Sequence, residues 1–194
     1  MARPQAYDHH QVLDNAMQVF WRKGYATTSI KDLTDATSLQ PGSLYGAFKN
    51  KRNLFLESLD YYFLNLHLSI KSLLHSEEVP LKRIRLFFDN LLNIAENDTE
   101  HKSCLLLNTL LEVPMDDVEI NQRVTVMFSK IEEEFCNVLI EAQKEGSLAA
   151  GSRPEALAKM LMSGIFGIQA YNRMKPDKAS LRQISNNLLS ILDK

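Results

Sequence analysis

The sequence predicts an all-α protein with about nine helices. Apolar residues recur at the three- and four-residue spacing of helices along nearly the whole chain, and no segment alternates convincingly with the two-residue period of a strand. Gly (7) and Pro (6) are scarce among the 194 residues, which argues against the many tight turns of a sheet protein. Hydrophobic residues make up 45% and charged residues 24%, so the composition is that of a folded chain rather than a disordered one.

Local caps define the first two helices. The first is expected over about residues 9–23, where a cationic last turn precedes Gly24, the residue type that most readily ends a helix. Ser29 and Asp32 have the spacing of a capping box, which predicts a short second helix over about residues 29–37.

A break at residues 38–42 separates the second helix from the third. Pro41 suits the first turn of a helix, where a backbone N–H would have no partner, so the third helix is expected over about residues 41–48. Asn50 can cap a long fourth helix, which continues to about His75.

Apolar stripes predict three further helices. The fifth follows the stripe from Ile84 to Ala95. The segment from Cys104 to Leu111 is apolar almost all round, which predicts a sixth helix buried on every side. The seventh runs for about seven turns from Val118 to Gly146.

Two helices complete the chain. Ser152 and Glu155 have the spacing of a second capping box, and the eighth helix is expected to continue to about Lys175. The ninth is expected to start at Pro176–Asp177.

Basic residues are concentrated between residues 22 and 52. Six basic residues oppose two acidic ones there, a local net charge of +4, whereas residues 61–194 carry a net charge of −3. The six are Arg22, Lys23, Lys31, Lys49, Lys51 and Arg52. A basic module beside an acidic body is expected when one end of a chain meets phosphates, although a merely solvated charged face gives the same count.

The second and third helices are predicted to form a helix-turn-helix over about residues 29–48, whose second helix enters the major groove of DNA. Small outward residues let the backbone approach a duplex closely, and hydroxyl and amide groups can reach phosphates or base edges. The outward residues are Gln40, Gly42, Ser43, Tyr45 and Gly46. Lys51 begins the next helix, where a phosphate is favoured, and it is expected to face outward like Tyr45.

Residues 41–54, which read PGSLYGAFKNKRNL, together with Gly24–Tyr25 and Thr28–Ile30, resemble the TetR/AcrR family of transcriptional regulators. The resemblance covers about residues 8–56, with one departure at Ser38, where the family commonly has glycine. It implies a dimeric regulator with a DNA-binding domain over residues 1–56 and an effector-binding and dimerisation domain over residues 57–194. It also implies DNA contacts from Ser29, Lys31, Gln40, Pro41, Gly42, Ser43, Tyr45 and Gly46.

The carboxy-terminal portion is expected to bind a small-molecule effector. Aromatic side chains could line a cavity, although aromatic residues at helical spacing are more often plain core. Cys104 lies near a helix amino terminus, where the dipole lowers a thiol pKa, and its surroundings resemble TetR-type regulators that respond to electrophiles; an ordinary core cysteine is the alternative. The candidate effector residues are Cys104, Asn108, Phe63, Phe88, Phe128 and Phe166.

The last two helices are predicted to form a homodimer interface. Four apolar residues of the ninth helix repeat at spacings of 3, 4 and 3, which is typical of a seam that packs on a partner helix: Leu181, Ile184, Leu188 and Ile191. Gly164 and Gly167 on the eighth helix allow close helix contact. A four-helix interface is therefore expected, with burial inside one subunit as the alternative.

Together with the resemblance to the TetR/AcrR family, the sequence predicts a repressor that is released from a palindromic operator by a small molecule or an electrophile. A helical small-molecule-binding protein or an enzyme using the same cavity is the alternative, but no nucleophile–base pair or phosphate loop supports catalysis. A DNA-binding architectural protein without an effector is a third interpretation. No metal or cofactor is expected, and the absence of an apolar span or leader predicts a cytoplasmic protein.

Overall fold

The computed structural model describes residues 7–100, 102–174 and 177–193, and these ranges contain nine α-helices, a final 3₁₀ turn and no strand. The all-α prediction is therefore confirmed. The helices are α1 (His9–Lys23), α2 (Ile30–Thr37), α3 (Pro41–Phe48), α4 (Lys51–Leu74), α5 (Pro80–Asn97), α6 (Leu105–Glu112), α7 (Val118–Lys144), α8 (Pro154–Asn172) and α9 (Lys178–Leu189).

The predicted caps hold the ends of the amino-terminal helices. The Ser29 hydroxyl accepts a bond from the Asp32 N–H at 3.1 Å, and the Asp32 carboxylate accepts one from the Ser29 N–H at 2.9 Å, which confirms the capping box of α2. The Asn50 side chain accepts a bond from the Asn53 N–H at 2.8 Å and caps α4. Gly24 follows α1 with a φ of +83°, a backbone conformation that favours glycine.

The predicted start and end of α8 were wrong. Arg153 occupies the N-cap position and makes no side-chain capping bond, so Ser152 and Glu155 form no capping box. The physical reason is Pro154, which takes the first helical position and shifts the N-cap one residue past the serine. The helix ends at Asn172 rather than near residue 175. The predicted start of the ninth helix at Pro176 lies outside the described residues, and Asp177 caps α9 by accepting the Ser180 N–H at 2.9 Å.

The prediction that α6 is buried on every side was also wrong. Leu105, Leu106 and Leu107 are buried, but Leu111 in the last turn is 74% exposed. Burial is confined to the first part of α6, and an apolar stretch of sequence does not show where burial ends.

The chain divides into two compact units. The first unit contains residues 1–65 and 105–124, and the second contains residues 66–104 and 125–194. The core of the first unit joins α1, α2, α3 and α4 through Phe20, Leu33, Leu44, Phe48 and Phe55, which are all almost fully buried. The rings of Phe20 and Phe55 meet edge to face with centroids 4.9 Å apart, so they join α1 to α4 within this core.

The second unit has its own aromatic core and its own hydrogen bonds between helices. Phe87 and Phe135 pack edge to face at 4.9 Å between α5 and α7. Glu134 on α7 bonds to His67 at 3.0 Å and to His75 at 2.8 Å, both on α4. Within the described parts of the chain, no helix combines the length and the apolar character that a membrane crossing needs.

Ser38 adopts the left-handed conformation that its place in the turn requires, with φ of +58° and ψ of +19°. A β-carbon is disfavoured there by roughly 1 kcal/mol, so we expect Ser38→Gly to raise the free energy of unfolding by up to about that amount. Chemical denaturation followed by circular dichroism measures it. Ser43→Gly inside α3 is the matched control and should lower stability instead; a loss of stability in both variants would contradict the argument.

Candidate nucleic-acid interface

The outward face of α3 is where the sequence analysis expects it. Gln40, Pro41, Gly42, Ser43, Tyr45 and Gly46 are all exposed, and Tyr45 retains 44% of its accessible surface. Leu44 and Phe48 on the opposite side are buried. The Gln40 side chain makes no capping bond at the start of the helix. Hydroxyl, amide and phenol groups therefore project from one surface.

The two glycines of α3 have no explanation inside the chain. A β-carbon built on Gly42 or on Gly46 would meet no atom within 4 Å, so neither glycine is needed for packing. Gly46 lies in the interior of α3, where a glycine costs about 0.5–1 kcal/mol relative to alanine, and Gly42 lies in its first turn. An eight-residue helix that carries this cost on its exposed face is suited to a close approach from outside.

Ser29 and Lys31 lie at the amino-terminal end of α2, and both are exposed. The Ser29 hydroxyl is engaged with Asp32, to which it donates at 2.7 Å. The Lys31 amine lies 2.7 Å from a carboxylate oxygen of Asp35, which raises the pKa of Lys31 through a hydrogen bond. Both side chains are at the surface, where a phosphate could compete for the lysine.

Much of the positive charge between residues 22 and 52 is paired within the first unit. Lys23 lies 2.5 Å from Asp32 and holds the pKa of that carboxyl far below its usual range. Arg52 forms a bidentate pair with Asp117, at 2.6 and 2.7 Å, and also contacts Glu119 at 2.9 Å. These contacts raise the pKa of Arg52. Among the described residues, Arg22 and Lys49 are left exposed without an acidic partner.

Lys51 is half-buried rather than outward-facing, which corrects the expected orientation. Its amine donates to the Thr28 carbonyl at 2.7 Å and lies 4.7 Å from the centre of the Tyr25 ring. The side chain turns inward because the loop between α1 and α2 offers a carbonyl acceptor and an aromatic face. A role for Lys51 at a phosphate remains a prediction.

The candidate effector residues differ in burial. Phe88 is completely buried. Phe128 on α7 and Phe166 on α8 are half-buried and pack edge to face with centroids 4.8 Å apart. Phe63 on α4 and Asn108 on α6 belong to the first unit and are half-buried. Among the described residues, no three His, Cys, Asp or Glu side chains group as ligands for a metal.

The two cysteines lie in different settings. Cys104 is half-buried and precedes the first residue of α6 rather than lying in its first turn. Ser103 before it has a φ of +61°, and its hydroxyl donates to the backbone and side-chain oxygens of Gln169, each at 3.1 Å. Burial raises the pKa of the Cys136 thiol on α7, and three nearby glutamates add to the effect.

The predicted dimer seam divides into buried and accessible residues. Leu181 is only 2% exposed and packs within its own unit, whereas Ile184 is 37% exposed and Leu188 and Ile191 are half-buried. Gly164 serves contact within the chain, because a β-carbon there would lie 2.1 Å from Leu188. Gly167 is exposed and faces open space. The accessible part of the seam is therefore Ile184, Leu188, Ile191 and Gly167.

Sequence reasoning missed one polar contact of the first unit. The Glu112 carboxylate accepts bonds from the backbone N–H groups of Tyr25 and Ala26, which lie 87 and 86 residues earlier in the chain. No local pattern in the sequence relates positions so far apart, so the contact could not be predicted from residue spacing.

Both the amino-terminal and the carboxy-terminal part of the chain match models of known protein families. Residues 12–58 match a family model described as bacterial regulatory proteins of the tetR family, and residues 80–188 match the tetracyclin repressor-like C-terminal domain. The matching models thus describe regulatory proteins rather than an enzyme class.

Relatives match over nearly the full length. The chain is 26% identical over 190 residues to the HTH-type transcriptional repressor ComR of Escherichia coli K12, covering 97% of this chain and 90% of ComR. It is 28% identical over 180 residues to the HTH-type transcriptional repressor DhaR of Mycobacterium sp. GP1, covering 92% and 86%. A cysteine mutant of the TetR family regulator CifR, solved with a 26 bp operator DNA, shares the fold with a TM-score of 0.87 at 24% identity, covering 96% and 98%.

The inward position of Lys51 gives a test against its exposed neighbour Lys49. We expect Lys51→Ala to lower the free energy of unfolding by about 1–2 kcal/mol, because a charged hydrogen bond to the Thr28 carbonyl and the contact with the Tyr25 ring are lost. Lys49→Ala removes the same charge from the surface and should leave stability nearly unchanged. Urea denaturation compares the two variants, and equal stability of both with the parent would mean that the Lys51 amine points to solvent.

Proposed function

Because the chain belongs to the TetR family of bacterial regulatory proteins, we propose that it represses transcription as a homodimer on an inverted-repeat operator and that an effector releases it. The amino-terminal DNA-binding domain proposed for residues 1–56 is supported by the family-model match over residues 12–58. The remaining residues, 57–194, would bind the effector and form the dimer. Double-stranded DNA is then the principal partner, and we propose that the protein acts in the cytoplasm.

The observation that carries the proposal is the exposed face of α3. Its apolar side anchors it through Leu44 and Phe48, while two glycines with open space around them face outward beside Tyr45. A helix with this arrangement can lie in the major groove with its backbone close to the base edges. Gln40 and Ser43 at its amino end are the polar side chains best placed for base or phosphate contacts.

Accessible apolar and small residues on α8 and α9 support the homodimer. Met160, Gly167 and Tyr171 recur on α8 at helical spacing and are exposed, so they offer apolar and small surface to a partner helix. Ile184 and Leu188 supply apolar surface on α9. Two such helices from each subunit can form a four-helix interface around a two-fold axis.

Two effector chemistries are consistent with the second unit's residues. A non-covalent ligand would contact aromatic groups such as Phe128 and Phe166, which lie half-buried against each other. An electrophile would instead react with Cys104, which stands directly before α6. A separate small-molecule-binding or enzymatic role is the less favoured alternative, since the matching family models describe regulators.

Binding of selected genomic fragments tests the proposal directly. The protein should protect an inverted repeat at two subunits per site, with half-site centres about 34–36 Å apart or a multiple of that distance, because both recognition helices must face the same side of the duplex. Footprinting and measurement of stoichiometry on fragments recovered from the source genome provide the readout. Protection of one isolated, non-palindromic half-site at a 1:1 ratio would contradict it.

Gly46→Ala is the matched variant for the same assay. The added methyl group faces open space and improves helix propensity, so it should stabilise the protein while it weakens operator binding about tenfold by holding the helix away from the duplex. Tyr45→Ala should weaken binding without unfolding the protein, since the ring is exposed. Unchanged affinity in both variants would place the DNA surface elsewhere.

Alkylation rates distinguish the two effector chemistries. We expect Cys104 to react with iodoacetamide faster than Cys136, because burial and neighbouring carboxylates raise the pKa of the Cys136 thiol. Treatment should release operator DNA from the parent protein but not from Cys104→Ser. Mass spectrometry of labelled peptides gives the rates; equal rates at the two cysteines, or release that survives Cys104→Ser, would leave a non-covalent ligand as the effector.

A further inference from the structure

The Glu112 carboxylate bonds to the loop that connects α1 to α2. Glu112 is the last residue of α6, and its two oxygens accept the Tyr25 N–H at 3.0 Å and the Ala26 N–H at 2.7 Å. Bonds from backbone N–H groups to an ionised carboxylate are stronger than bonds between neutral groups. The loop leads directly to Ser29, the residue that caps α2. The position of the loop therefore determines where α2 begins.

The Glu112 carboxylate occupies the space that a side chain at Gly24 would need. A β-carbon on Gly24 would lie 2.6 and 2.8 Å from the two Glu112 oxygens, which is closer than real contacts allow. The backbone there also has a φ of +83°, which independently favours glycine. A side chain at residue 24 would have to displace the Glu112 carboxylate and break its two N–H bonds. Gly24 and Glu112 thus form a matched pair.

An anionic side chain accepts bonds from backbone N–H groups of this loop, and a cationic side chain donates to one of its carbonyl groups. Glu112 accepts the N–H groups of Tyr25 and Ala26, and the Lys51 amine donates to the carbonyl of Thr28 at 2.7 Å. The Tyr25 ring is also stacked on the ring of Phe55, with centroids 4.6 Å apart, so the Glu112 bonds add to an aromatic contact of the same loop. Since α6 lies in the same compact unit as α1–α3, this contact is internal to that unit.

We infer that Glu112 is a positioning residue for DNA binding: its carboxylate fixes the α1–α2 loop and with it the orientation of α2 and α3. The inference rests on the proposed function. It makes a prediction opposite in sign to simple electrostatics, because removing a negative charge from a DNA-binding unit should otherwise strengthen attraction to phosphates.

Glu119→Ala is the matched control for Glu112→Ala. It removes one negative charge from the same unit, while Asp117 retains its bidentate pair with Arg52 and the loop N–H groups keep their acceptor. Glu112→Gln keeps the length of the side chain and one acceptor oxygen but loses the charge. The set separates the effect of charge from the effect of the two bonds.

The experiment measures operator affinity at fixed salt and backbone amide exchange in the full-length protein, with an operator fragment recovered from genomic selection. We expect Glu112→Ala to bind about tenfold more weakly, equivalent to about 1.4 kcal/mol, and Glu119→Ala to bind as tightly as the parent or more tightly. Exchange at the Tyr25 and Ala26 amides should become at least about tenfold faster in Glu112→Ala only, since an amide without its acceptor exchanges from an open state.

Parent-like affinity or parent-like exchange in Glu112→Ala would overturn the inference, as would equal weakening by Glu119→Ala. Should Glu112→Ala fail to fold, Glu112→Gln provides the test: a smaller loss of affinity with faster exchange at the same two amides supports the inference, and parent values of either overturn it. Failure of the parent protein to bind any fragment would instead refute the proposed function.

Discussion

The stability and the position of α3 depend on the burial of Leu44 and Phe48 in the core of the first unit. A helix of eight residues is too short to be stable by itself in water, and this one also contains two glycines. Burying each of these side chains contributes roughly 1.5–3 kcal/mol, which exceeds the propensity cost of the glycines. Leu33 of α2 and Phe20 of α1 are buried in the same unit. The outward face can therefore remain small and polar because the inward face alone holds the helix.

Ion pairs in the same unit determine which charges remain available to a partner. Arg52 is bound to Asp117 and Glu119 at the start of α7, and Lys23 is bound to Asp32 of α2. The Arg52 pairs connect segments 65 and 67 residues apart, whereas the Lys23 pair connects α1 to α2 over nine residues. Charges held in these pairs are less available to phosphates. The attraction to a polyanion rests on fewer cations than the composition of residues 22–52 indicates, and Lys49 is among them.

Close packing of α8 on α9 fixes the surface that a second subunit would contact. Leu188 occupies the space that a side chain at Gly164 would need, so the two helices approach closely along one line. Glu96 on α5 reinforces α9 through Arg182 at 2.9 Å, and these contacts lower the pKa of Glu96. A pair of helices fixed in this way presents a defined apolar surface, which reduces the entropy that dimerisation has to overcome.

Local chemistry in the sequence determined the helices and the motif. The capping box at Ser29, the proline at the start of α3 and the three- and four-residue spacing of apolar residues each act within one or two turns of chain, so they could be interpreted without knowledge of the fold. The glycine that the TetR/AcrR family commonly has at the position of Ser38 was the only indication of the left-handed turn found there.

Tertiary structure alone decided where several side chains point. Lys51 turns inward to the Thr28 carbonyl, and Glu112 reaches backbone groups 86 and 87 residues away. Leu181 is buried in its own unit while Ile184 stays accessible, although both belong to one apolar repeat. The spacing of residues specifies which side chains share a helix face, but the acceptors and surfaces that meet that face come from distant parts of the chain, and only packing brings them together.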